Sequence, residues 1–185
     1  MVPQRAEQRA QRQRGNAMKY LMRERVFGIG DDHWITTEHG DKAFLVDGKA
    51  LRIRETFELK DHQTGEIAAV IKKKLISVRD TMVIERDDDR IAAVKKKLIT
   101  VFRDKYLAEL EDSVGGGEIE VIGHFTDHEF EMERDGRRVA KVSRKWFSIR
   151  DTYAIDIEDG EDVALLISIA VCVDHLNAEE HHREA

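Results

Sequence analysis

The sequence predicts an all-β protein with one central helix, in which about twelve antiparallel strands form a barrel around a hydrophobic C-terminal α-helix. Apolar and charged residues alternate through most of the chain, turn signals recur about every ten residues, and an uncharged run follows the last predicted strand. Alternation with a period of two is typical of a strand with one buried and one solvated face. Many short strands with regular turns are typical of a barrel or a sandwich.

Composition indicates one acidic globular domain. The chain has 185 residues, with 31 Lys and Arg against 37 Asp and Glu, a formal charge of −6. We assign residues 1–17, rich in Gln and Arg, to a disordered polar tail, residues 18–177 to a single barrel domain, and residues 178–185 to a C-terminal tail. The single Cys excludes a disulfide framework and a Cys-based zinc site. The net acidity argues against nucleic acid as a partner.

The strands are placed by their alternating residues. In EIEVIGHF, Ile119 and Val121 share one face, while Glu118 and Glu120 share the other. ALRIRETFELK and DTYAIDIED follow the same pattern, and connections rich in Asp and Gly separate such segments. These segments are therefore predicted to be strands with one face in a core.

The chain also repeats itself. EIAAVIKKKLISVRDTMVIE (66–85) returns as RIAAVKKKLITVFRDKYLAE (90–109) and more faintly as RVAKVSRKWFSIRDTYAIDI (138–157), and each copy is predicted to be a hairpin. IAAV recurs at an offset of 24 residues but KKK at an offset of 23. A shift of one residue within a strand turns the following side chains to the opposite face of the sheet, unless a β-bulge compensates for it.

The last element is predicted to be the central helix. Eleven uncharged residues run from Val163 to Val173, too few for a membrane span, which needs about 20. Acidic residues precede the run and histidines follow it, as suits a helix dipole. A barrel of about twelve strands would have an empty lumen, and an apolar helix about 10–12 Å across would fill it.

Basic runs at the strand ends of the repeats are the candidate binding site. The repeat places all of them at one rim of the predicted barrel, where each Lys or Arg near an anionic membrane would add about 1 kcal/mol. The candidate anion- or lipid-binding residues are Lys72, Lys73, Lys74, Lys95, Lys96, Lys97, Arg144, Lys145, Arg79, Arg103 and Arg150. In the alternative interpretation these are solvated strand ends, neutralised by Glu66, Asp80, Asp104 and Asp151.

No catalytic site, metal site or cofactor is predicted. Cys172 lies inside the apolar run, where a thiol is inert packing. His124 and His128 are four residues apart around a predicted turn, which favours a turn over a metal pair. His175 and the histidines after it are expected in a solvated tail. We therefore expect the protein not to be an enzyme.

The repeated KKKLISVRDT hairpins and the terminal DVALLISIAVCVDHL resemble the LURP-one-related family, within the tubby C-terminal-like superfamily, over roughly residues 18–176. The resemblance implies a tubby-like antiparallel barrel around a hydrophobic C-terminal helix. Tubby domains bind phosphoinositides through basic residues, and phospholipid scramblases share the fold.

The basic rim and the resemblance together favour a non-enzymatic binding module for anionic phospholipid headgroups or another anionic partner. The alternatives are a scramblase-like lipid-handling protein and a structural or regulatory protein-interaction domain without a small ligand. We expect a cytoplasmic protein, peripheral to the membrane, with no transmembrane segment and no nucleic-acid partner.

Overall fold

The computed structural model describes residues 17–23, 33–48, 56–74, 80–97, 105–144 and 152–184. Within these residues the chain forms twelve β-strands, a short 3₁₀ helix and one α-helix. The strands are β1 Met18–Arg23, β2 His33–Thr37, β3 Lys42–Gly48, β4 Thr56–Asp61, β5 Ile67–Lys73, β6 Thr81–Arg86, β7 Asp89–Lys97, β8 Lys105–Leu110, β9 Glu118–His124, β10 Glu129–Arg134, β11 Arg137–Ser143 and β12 Thr152–Ile157. The 3₁₀ helix is Asp112–Val114, and the α-helix, α1, is Val163–Glu184.

The twelve strands form a closed barrel with the simplest connectivity. Each strand pairs antiparallel with its neighbours in the chain, and β1 pairs with β12 from Met18 opposite Ile157 to Arg23 opposite Thr152. Closure leaves no sheet edge on which another chain could pair. The predicted barrel of about twelve strands is confirmed.

Helix α1 occupies the lumen of the barrel, as predicted. No residue from Leu165 to Val173 is more than 3% exposed. Asp162 caps the helix, because its Oδ1 accepts a hydrogen bond of 3.1 Å from the backbone N–H of Leu165. The Ser168 hydroxyl, buried in the apolar run, donates to the carbonyl oxygen of Ala164 at 2.7 Å. The first half of α1 is therefore the core around which the strands close.

The C-terminal boundary differs from the predicted one. Residues 178–184 continue α1 rather than forming a separate tail, because Glu179 and Glu180 form ion pairs with lysines of the barrel wall. Residues 1–16 of the predicted N-terminal tail lie outside the described residues.

Equivalent residues of the first two repeat copies face the same side of the barrel wall. Ile71 of β5 and Val94 of β7 are both fully buried, and they are 23 residues apart. A register shift lies at the corresponding place in the β4–β5 pair and in the β6–β7 pair. Structurally equivalent residues of the two copies are therefore 23 residues apart, and the recurrence of IAAV at an offset of 24 is a similarity of sequence only. Lys73 and Lys96, two residues further on, both lie on the inner face of the barrel.

The two ends of the barrel differ in charge. We call one end the turn end; it comprises the connections 38–41, 62–66, 87–88, 111–117 and 135–136 and the segment 158–162 that leads to α1. These connections contain Asp and Glu but no Lys or Arg. At the opposite end, the loop end, the odd-numbered strands finish, and among them β5 and β7 finish in lysines.

Candidate functional site

Strand direction brings the basic runs together at the loop end. β5, β7 and β11 run the same way, because one or three antiparallel strands separate each from the next. β5 and β7 are two strand spacings apart, roughly 10 Å. The predicted site residues that the structure describes at this end are Lys72, Lys73, Lys74, Lys95, Lys96, Lys97 and Arg144. Arg79, Arg103, Lys145 and Arg150 lie outside the described residues.

Two of these lysines point outward and pair with glutamates on neighbouring strands. Lys72 of β5 forms an ion pair with Glu85 of β6, and Lys95 of β7 forms one with Glu109 of β8. The side chains of these pairs are between 20% and 48% exposed. Ion pairs this exposed contribute about 0–1 kcal/mol each, so they hold the lysines only weakly.

Two lysines point inward and pair with the end of α1. Lys73 forms an ion pair with Glu179, and the Lys96 Nζ lies 2.6 Å from the Glu180 Oε2. Each lysine side chain is 23% exposed. The second half of α1 therefore supplies the charges that balance the inner side of the lysine rim.

The other predicted site residues described at this end are Lys74, Lys97 and Arg144. Lys74 is exposed and Lys97 is half-buried, and neither forms an ion pair with any residue in the part of the chain that the structure describes. Arg144 follows β11 and is exposed; its backbone N–H donates to the Glu129 Oε1 at 2.9 Å. The rim thus combines paired lysines with cations open to solvent.

Of the four predicted neutralising residues, Glu66 is not a partner of Lys72. Glu66 lies at the turn end, before the whole length of β5, and is too far from Lys72 to pair with it. Asp80 lies at the loop end beside β6, whereas Asp104 and Asp151 fall outside the described ranges. The neutralisation itself is observed, but glutamates on adjacent strands and on α1 provide it.

A largely buried histidine–aspartate pair joins the middle of α1 to the wall and was not predicted from the sequence. The Asp174 Oδ1 lies 2.8 Å from the His128 Nε2, with side-chain exposures of 10% and 13%. His128 closes the turn at 125–128 with φ 52°, and its ring stacks on Tyr153 at 4.7 Å between centroids. The signal in the sequence was Asp174, which directly follows the uncharged run, since a carboxylate removed from water needs a partner.

The histidines singled out in the sequence, His124, His128 and His175, lie in different environments. The predicted solvated position of His175 is wrong: it is 6% exposed and packs edge-on against Phe57 at 5.5 Å, because α1 continues inside the barrel. His124 is exposed on β9 while His128 faces α1, so the two do not form a pair. Among the residues described, no group of three or more His, Cys, Asp or Glu is arranged to hold a metal ion.

Cys172 is a packing residue of the core, as predicted from its place in the apolar run. It is fully buried, and this burial raises the pKa of its thiol far above the ordinary range. Such a thiol forms no thiolate at neutral pH. Of the helices in the described chain, none combines the length and the apolar character that crossing a bilayer requires.

Comparison with known proteins gives three findings. The family model described as LURP-one-related matches residues 18–174. The uncharacterized protein YxjI of Bacillus subtilis (strain 168) is 26% identical over 158 residues, which are 85% of this chain and 92% of that protein. The X-ray structure of a protein from Arabidopsis thaliana matches with a TM-score of 0.62 at 17% identity, over 87% of this chain and 91% of that one, a likeness that shows the fold.

Proposed function

This chain belongs to the LURP-one-related family, and from that premise we propose that it is a non-enzymatic binding domain whose loop end engages an anionic phospholipid surface. One observation carries the proposal. β5 and β7 end in lysines and β11 is followed by arginine at the loop end, whereas the connections of the turn end contain acidic residues and no Lys or Arg.

This separation of charge gives the barrel a preferred approach to a negative surface. Arginines that flank the turn end are engaged by its own acids: Arg86 pairs with Asp162 at 2.9 Å, and Arg138 pairs with Glu158 at 3.1 Å. Each basic residue near an anionic membrane adds about 1 kcal/mol within a Debye length. The loop end therefore offers lysines to a negative surface, whereas the connections of the turn end offer acids, although the whole chain has a charge of −6.

Pairing of four lysines with glutamates is compatible with this role. The outward pairs are partly exposed and contribute about 0–1 kcal/mol each. Phosphate oxygens accept hydrogen bonds from the same ammonium donors as the carboxylates do, so a phosphate can compete with an outward glutamate for its lysine. Lys74 and Lys97 would provide the first contacts.

A binding role also suits the chemistry of the described side chains. The Cys172 thiol is sealed in the core, and the glutamates nearest the rim lysines are engaged in ion pairs. As proposed, the protein is cytoplasmic and associates with the membrane peripherally.

Vesicle sedimentation tests the proposal. Wild-type protein should bind phosphatidylcholine vesicles that contain phosphatidylserine, and the binding should weaken as salt rises. Lys74→Glu/Lys97→Glu should weaken it about 30-fold or more, because two contacts of about 1 kcal/mol are lost. Lys42→Glu/Arg90→Glu makes the same change of net charge near the turn end and should leave binding unchanged.

Two outcomes would contradict the proposal. Equal binding to vesicles of phosphatidylcholine alone would show that anionic lipid is not recognised. An absence of binding to any vesicle would favour a protein-interaction domain without a small ligand.

A further inference from the structure

The end of α1 places two consecutive carboxylates on the two inward lysines of the loop end. Glu179 pairs with Lys73 of β5, and the Glu180 Oε2 lies 2.6 Å from the Lys96 Nζ of β7. Consecutive helix residues point about 100° apart, which lets adjacent glutamates reach two strands that are separated by β6. The helix thus presents a pair of negative charges where the repeat presents a pair of positive ones.

The part of α1 just before these glutamates is held against the barrel wall. One turn earlier, Asp174 pairs with His128, and the His175 Nε2 lies 3.9 Å from the Glu179 Oε2. Leu176 is 5% exposed and Asn177 is 9% exposed. The two glutamates therefore face the lysines continuously in this state of the protein.

We infer that Glu179 and Glu180 are built-in competitors of the anionic membrane for Lys73 and Lys96. The inference rests on the proposed function and adds its regulation. A lysine already paired with a carboxylate contributes little to the attraction of a phosphate, because both anions need the same ammonium donors. The loop end is then in a low-affinity state until phosphate oxygens displace the two glutamates.

Position in the fold distinguishes these glutamates from the others at the rim. Glu85 and Glu109 lie on strands β6 and β8, whose backbone positions barrel pairing fixes, so only their side chains can swing away from the lysines. Glu179 and Glu180 lie near the end of a helix, where the last turn can detach at small cost. They also lie beyond residue 174, where the family match ends.

Charge-neutral variants test the competition directly. Glu179→Gln/Glu180→Gln should bind vesicles containing phosphatidylserine about 30-fold more tightly than the wild type, because two lysines of about 1 kcal/mol each lose their glutamate competitors. The matched control is Glu158→Gln/Glu161→Gln, which makes the same change of net charge at the turn end and should give no gain. Adding Lys73→Gln/Lys96→Gln to the first variant should abolish the gain.

The outcomes separate this inference from the proposed function. If wild type and Glu179→Gln/Glu180→Gln bind anionic vesicles equally, or if the turn-end control gains as much, the competition is refuted while membrane binding stands. If neither binds, both are refuted. Urea unfolding checks that the double variant folds; if it does not, Glu180→Gln alone should bind about fivefold more tightly, and an unchanged affinity would refute the competition.

Discussion

The two halves of α1 pack inside the same barrel but interact with it in different ways. Residues 163–173 are uncharged, and from Leu165 onward they are almost completely buried. In the second half, Asp174, Glu179 and Glu180 pair with His128, Lys73 and Lys96 of the wall, respectively. Burial contributes about 1.5–3 kcal/mol for each large apolar side chain, whereas a partly exposed ion pair contributes about 0–1 kcal/mol. The first half therefore stabilises the barrel, whereas the ion pairs of the second half can be exchanged for other anions at the lysines.

The largest expected effect comes from placing a charge in the first half. Leu166 is 1% exposed, so Leu166→Asp buries an unpaired carboxylate and should cost about 5 kcal/mol or more, comparable with the whole stability of a domain. Ala178→Asp introduces the same side chain at an exposed position of the second half and should change stability by about 0.5 kcal/mol at most. Circular dichroism and urea unfolding measure both. A stable, β-rich Leu166→Asp protein would contradict the role given to the first half.

A smaller loss is expected at the junction of the two halves. Asp174→Ala removes the carboxylate that lies 2.8 Å from His128 Nε2 and should lower the free energy of unfolding by about 1–3 kcal/mol. Asp159→Ala, at an exposed turn position, should change it by about 0.5 kcal/mol at most. A double-mutant cycle with His128→Ala measures the coupling, and a coupling energy near zero would show that the pair does not anchor α1.

Much of the fold could be predicted because its signals are local. Alternation in β9 placed Ile119 and Val121 on the inner face, where both are buried, and the uncharged run marked the helix. The helix end was misplaced at residue 177, because Glu179, Glu180 and the residues after them look like a solvated tail in sequence. The contacts of Glu179 and Glu180 with the barrel wall favour continuation of α1 past residue 177.

Less of the candidate site could be predicted, because its pairing depends on strand register. The sequence placed the lysine runs at one end, but whether Lys95 or Lys96 faces inward depends on the register shift in the β6–β7 pair. The partner of Lys95 is Glu109, on the next strand, which can be identified only once the β7–β8 register is known. Charged residues that pair across strands have no fixed separation along the chain, so their pairing cannot be read from a single sequence.

Hydrogen exchange measured by mass spectrometry tests most directly whether the two halves of α1 are separable. Amides of residues 163–173 should stay protected with and without vesicles that contain phosphatidylserine. Amides of residues 178–184 should exchange faster when those vesicles are present, because phosphate replaces Glu179 and Glu180 on the lysines. Unchanged or increased protection of residues 178–184 in vesicle-bound protein would contradict the account.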